Sequence, residues 1–123
     1  MSDMPMGAIW SSIPVPVLVI GEKDIISQIN PAAEGFLNMS ERALVGTSLW
    51  RCISINTQVS ESFERARNNL TPLFVNDVSV EMGPKSTVLC NLKFTPLLGM
   101  AGFMLLLIEP RNLAGRLTQT QSG

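Results

Sequence analysis

The stretch Ile25-Ile26-Ser27-Gln28-Ile29-Asn30-Pro31-Ala32-Ala33-Glu34-Gly35-Phe36-Leu37 contains a change of period on which the reading of the whole chain turns. Up to Ile29 the residues are rich in isoleucine and alternate, with Ile25, Ser27 and Ile29 on one side and Ile26 and Gln28 on the other, which predicts a strand. Asn30 then offers a side-chain oxygen to the unpaired amides of a helix start, and Pro31 suits the first helical position with its fixed φ. Ala33, Phe36 and Leu37 share one face of that helix. A strand thus runs into a capped helix with no linker between them.

Upstream, Val15 to Ile20 is apolar on both faces and β-branched, the pattern of a buried strand, and Gly21 to Asp24 supplies a turn. Before it, Met6, Ile9, Trp10 and Ile13 recur at near-helical spacing, an amphipathic opening that Pro14 and Pro16 stop. Downstream, a short helix starts at Ser40, passes Ala43 and Leu44, and ends at Gly46 as a left-handed cap. Val59, Phe63, Ala66 and Leu70 predict an amphipathic helix from about Gln58 to Asn69, with Glu61 and Arg65 as an i,i+4 pair. From Leu73 the period becomes two. Phe74, Val78, Val80 and Met82 alternate with Val75, Asp77, Ser79 and Glu81, and Gly83-Pro84-Lys85 turns the chain. Val88, Cys90, Leu92 and Phe94 continue the alternation, and Leu98 to Gly102 leads into the apolar run Phe103 to Ile108.

Two strands, three short helices and three strands do not alternate as a parallel α/β sheet requires. The order predicts an α+β domain: a five-stranded antiparallel sheet, short helices on one face, and an N-terminal helical segment. The divisions are 1–13 as an amphipathic cover, 14–110 as the domain proper, and 111–123 as an exit linker.

Composition narrows the function. Apolar residues make up 46% and charged ones 15% of the 123 residues, against about 25% charged in an average soluble domain, so apolar surface is available for a partner. The net charge of −1 comes from 9 basic and 10 acidic residues scattered singly, which gives nucleic acid no basic stripe to follow. Leu97 to Ile108 is too short and too broken by glycine to span a membrane, which takes about 20 apolar residues. Cys52 and Cys90 lack the spacing of a zinc site and suit a reducing cytoplasm. There is no histidine and no tyrosine, so the usual general base, the commonest metal ligand and the usual haem ligand are missing.

Asn30-Pro31-Ala32-Ala33-Glu34, followed by Ser40 and by Leu44-Val45-Gly46, resembles the middle of PAS domains, and the order of elements matches from about Ile9 to Pro110. Ile13-Pro14-Val15-Pro16-Val17 and the exit Glu109-Pro110-Arg111-Asn112-Leu113 resemble, more narrowly, the N-terminal sensory domain of NtrB-type nitrogen-regulation histidine kinases of alphaproteobacteria. The resemblance implies a cytoplasmic sensory and dimerisation domain, and a parent that continues into a phospho-accepting helix and an ATP-binding domain, with the PII signal protein as a partner of the intact parent. Many PAS domains close their last strand with Asp-x-Thr. Glu109-Pro110-Arg111 stands there instead, and Leu113 and Leu117 with Gly115 between them make a feeble exit helix.

Within that fold, no cofactor is expected. Trp50-Arg51-Cys52-Ile53 lacks the Asn-Cys-Arg-Phe pattern of the flavin-binding light sensors, and no metal or catalytic set is present. A small-ligand pocket, the alternative function, would draw on Phe36, Phe63, Phe74 and Phe94 for walls and on Ser27, Asn91 and Arg51 for polar contacts. A non-PAS interaction scaffold is the further alternative. Asp24, Glu34, Glu61 and Asp77 form no carboxylate pair, and an enzyme is not expected. The strongest signal is apolar. Val15–Ile20 and Phe103–Ile108 become neighbours in a PAS-like order, and their outer side needs cover, either from Met6, Ile9, Trp10 and Ile13 of the same chain or from a second subunit. A homodimer with those four residues at its interface is the preferred expectation.

Overall fold

Asn30 stands where the period changes, and in the structure, a computed structural model that describes residues 5–51, 53–54, 57–81 and 87–110, it caps a helix. Helix α1 (Met6–Ser12) leads to strands β1 (Val17–Ile20) and β2 (Ile26–Ile29). Helices α2 (Pro31–Leu37) and α3 (Glu41–Leu44) follow, then a short strand β3 (Ile53–Ser54) and the long helix α4 (Thr57–Asn69). Strands β4 (Leu73–Glu81), β5 (Thr87–Pro96) and β6 (Met104–Pro110) complete the chain. Cys52, Met82, the turn at Gly83-Pro84-Lys85 and the exit 111–123 lie outside the described residues.

The five-stranded antiparallel sheet is present, with the two-residue β3 added at its edge, in the order β2-β1-β6-β5-β4-β3. The first and last of the predicted strands are neighbours, as Val17 to Ile20 pair with Leu107 to Met104. All four residues of β1 are buried. Leu18, Ile20, Leu92, Phe94, Met104, Leu106 and Ile108 face the helices and form the core with Ile26, Leu37, Leu44, Leu49 and Phe63. Each such side chain contributes roughly 1.5–3 kcal/mol by leaving water.

Local chemistry sets the turns. Lys23 and Asp24 both have positive φ (60° and 61°), the pair of left-handed residues at the centre of the tight turn between β1 and β2, which the Ile25 amide closes on the Glu22 carbonyl at 3.3 Å. Gly46 has φ +93° and its amide donates to the Ile26 carbonyl at 2.8 Å, so the expected left-handed turn after α3 is met.

Three expectations are corrected, two of them by bulges. Ile26 and Ile29 are both buried although they are three apart, because the register against β1 slips between Val19, opposite Gln28, and Ile20, opposite Ile26. On β4 the slip falls between Val75 and Val78, with Asp77 at φ 61°, so Phe74 and Val78 lie on opposite faces. The third is Leu70. The α4 periodicity places it on the buried face, but the helix ends at Asn69. Leu70 takes φ 57° and is 69% exposed, while the Thr71 amide closes back on the Ala66 carbonyl at 3.0 Å.

Candidate functional site: the N-terminal arm and the outer face of the sheet

Helix α1 is seven residues long, and none of them is buried. An isolated helix under about 12 residues is marginal in water, so it depends on what ties it down. The Trp10 indole N–H donates to the Ile29 carbonyl at 3.2 Å, fastening α1 to the end of β2. Met6 is 70% and Ile9 40% exposed, whereas Trp10 and Ile13 are half-buried. The four predicted interface residues thus divide into two that anchor the arm and two that present apolar surface.

Asn30 holds the joint below the arm. Its side-chain oxygen accepts from the Ala33 amide, capping α2, and from the Val17 amide, both at 3.0 Å. Its Nδ2 donates to the Val15 carbonyl at 2.9 Å and the Ile13 carbonyl at 3.4 Å. The residue has no exposed surface and leaves none of its carboxamide unbonded. Pro31 occupies the first turn beside it.

The outer face is read from the register, since directly opposed residues of antiparallel strands share a face. One row runs Val17, Leu107, Lys93, Phe74 and another runs Gln28, Val19, Leu105, Thr95. Val17 and Val19 are buried, Leu105 and Leu107 are half-buried, and Phe74 is 66% exposed. Lys93 Nζ reaches Glu109 Oε2 at 3.5 Å, an exposed pair on this face. The backs of the two central strands are therefore sheltered on the β1 side and open towards β4.

Three of the four predicted pocket walls meet in the close-packed core, and the fourth does not. Phe63 and Phe94 meet edge to face at 4.9 Å between centroids, Trp50 meets Phe63 at 5.2 Å, and Phe36 packs partly buried against the same core. Phe74 lies on the other side of the sheet. Of the polar candidates, Ser27 and Arg51 are exposed, and Asn91 Oδ1 accepts from the Asp77 amide at 3.2 Å, satisfying the bulge. Cys90 is buried, and desolvation raises its thiol from 9.0 to about 11, so it stays protonated and unreactive at neutral pH.

Sequence reasoning missed a polar cluster beside the aromatic core. Arg67 Nη2 contacts Asp24 Oδ1 at 2.7 Å and the Gly21 carbonyl at 3.2 Å, with its guanidinium 4.8 Å above the Phe63 ring. Trp50 Nε1 donates to Asp24 Oδ2 at 2.7 Å. The cluster bolts α4 to the β1–β2 turn. Arg67 also lines an open groove of about 900 Å³ with Leu70, Pro96, Leu98, Met100 and Phe103 at the β5–β6 turn. No local pattern signals pairs this far apart in the chain.

The family described as PAS fold matches residues 6–110, most of the chain. The chain belongs to the PAS family. It is 45% identical over 113 residues to the sensory histidine kinase/phosphatase NtrB of Rhodobacter capsulatus, which covers 92% of this chain but 32% of that protein. The PAS domain of nitrogen regulation protein NR(II) from Vibrio parahaemolyticus superposes with a TM-score of 0.72 at 17% identity, covering 88% of this chain and 99% of that one. The Rhodobacter sphaeroides LOV protein gives 0.77 at 13% identity over 87% of this chain and 65% of that one, a likeness of fold alone. Among the described residues of this PAS domain, no helix is long and apolar enough to cross a membrane.

Proposed function

We propose that this PAS domain is the regulatory input and pairing domain of an NtrB-type histidine kinase, with two copies joined through α1 and the outer face of the sheet. The observation that carries this reading is the outer face itself. Leu105 and Leu107 stand half-covered beside the buried Val17 and Val19, while Met6 and Ile9 on α1 remain exposed. A second copy covering these residues removes apolar surface that the single chain leaves in water. The 45% identity to NtrB supports the kinase context, and with it nitrogen status as the parent's input, a cytoplasmic location and the PII protein as a partner of the parent. Phosphotransfer belongs to parts of the parent beyond this domain, and the domain's own contribution is to bias the arrangement of the pair.

Sedimentation equilibrium of the chain beside Ile9→Asp and Trp10→Asp tests the pairing. The parent chain associates, and each variant shifts towards monomer. A parent that stays monomeric at all concentrations, or variants that associate as well as the parent, would remove α1 from the interface.

A further inference from the structure

We infer that Asn30 is a positioning residue for α1, a buried pivot that sets how the N-terminal arm stands against the sheet while the arm itself stays detachable. Resting on the dimer reading only for its consequence, the inference names the joint through which α1 is presented.

Two of the four bonds of the Asn30 carboxamide go to the link between α1 and β1, one to the first residue of β1, and one to its own helix. The link needs them. Pro14 and Pro16 carry no N–H, so this stretch has few backbone donors of its own. The Ile13 and Val15 carbonyls find their donor in Asn30 Nδ2, and the Val17 amide finds its acceptor in Asn30 Oδ1. The Asn30 amide in turn donates to the Val17 carbonyl at 3.1 Å, and the Pro16 carbonyl accepts from Ile108 at 3.0 Å. Asn30, Pro16 and Val17 at the centre of the joint are buried, while Ile13 and Val15 are half-buried and Pro14 is exposed.

The arm beyond it is the opposite. No residue of α1 is buried, Pro5 ahead of it gives no side-chain cap, and the bond from Trp10 to Ile29 O fastens it beside the joint. A stiff joint with a loosely fastened lever gives two separable states, arm down and arm free, with the core unchanged in both. Because Ile29 and Asn30 are consecutive, the fastening and the pivot belong to one short segment at the strand-to-helix junction. Displacement of that junction is therefore carried to α1 directly.

An ordinary cap would act on α2 alone, and the two roles separate experimentally. Asn30→Ser keeps an oxygen able to cap α2 but removes the Nδ2 donor. The matched control is Ser40→Ala, which removes the cap of α3, where Ser40 Oγ accepts from the Ala43 amide at 3.2 Å. In a Trp50→Phe background Trp10 is the sole indole, since the chain has two tryptophans. Acrylamide quenching of Trp10 in the 123-residue chain is expected about to double in Asn30→Ser, as a half-buried ring becomes open, with the unfolding transition still cooperative. Ser40→Ala leaves the quenching at the parent value. Equal quenching in the parent and Asn30→Ser, or an equal rise in Ser40→Ala, overturns the inference.

If Asn30→Ser does not fold, Asn30→Asp serves in its place. It keeps the capping oxygen and also loses the donor, and an unchanged Trp10 there overturns the inference equally. Sedimentation of the same proteins separates this inference from the dimer reading. A freed Trp10 with unchanged association keeps the pivot and discards α1 as an interface. An unchanged Trp10 with weakened association discards the pivot.

Discussion

On the inner side of the sheet, Leu18, Leu106, Phe94 and Leu73 form one row across β1, β6, β5 and β4, and all but the last are fully buried. On the outer side, the neighbouring row of Val17, Leu107, Lys93 and Phe74 crosses the same four strands, and its exposure climbs from 3% at Val17 to 66% at Phe74. The inner row is closed by side chains of the same molecule, with Phe63 of α4 pressed on Phe94. The outer row is buried at β1 and bare at β4. Burial on the inner side follows from folding; on the outer side it is graded, and the gradient marks where one chain's own cover stops.

The largest test of this contrast is Phe63→Ala. The ring has no exposed surface and touches Trp50, Phe94 and Arg67, so its loss leaves a cavity and an unstacked guanidinium. A loss of about 3–5 kcal/mol in urea unfolding is expected, and under 1 kcal/mol would mean that the inner row is not close-packed.

A smaller effect concerns the pH dependence of the same face. Burial holds the Cys90 thiol at about 11 against 9.0, so the folded chain keeps a proton that the unfolded chain gives up. The stability this contributes is intact below pH 9 and is lost as pH rises from 9.0 to about 11. Over that window the parent should lose about 2 kcal/mol more than Cys90→Ala, measured as the difference between their unfolding profiles. Parallel profiles would show that the thiol is hydrated.

The smallest expected change is on the outer row. Phe74→Ser should alter unfolding by no more than about 0.5 kcal/mol, as for other exposed positions. A clear loss that grows with protein concentration would show that the bare end is covered in an assembly, and would extend the pairing surface from β6 to β4.

Much of this arrangement is legible in the sequence because it is written in local signals. Asn30-Pro31 gives a cap and a first turn in two residues, and the β-branched run of β1 reports a strand buried on both faces. Its pairing with β6 is implied by the resemblance to PAS domains and is present. What escapes has two physical sources. Bulges break the period of two without a residue type that announces them: Ser27 and the pair Asn76-Asp77 look like ordinary alternating positions, yet they reverse the facing of Ile26 and Phe74. Long-range polar contacts leave no periodic trace either. Asp24, Trp50 and Arg67 are scattered singly along the chain, and the bonds from Asn30 back to Ile13, Val15 and Val17 are hidden behind its plainer capping role.

The antiparallel pairing of β1 with β6 also fixes how the domain bears load. The chain enters β1 at Val17 beside the place where β6 leaves at Leu107, with Pro16 bonded to Ile108 just outside. A pull that separates the two flanks therefore peels this central ladder open from one end, rung by rung, instead of shearing all its rungs together. Tension between the preceding and following parts of a longer protein would be felt first at the joint under α1, with the far side of the sheet still zipped.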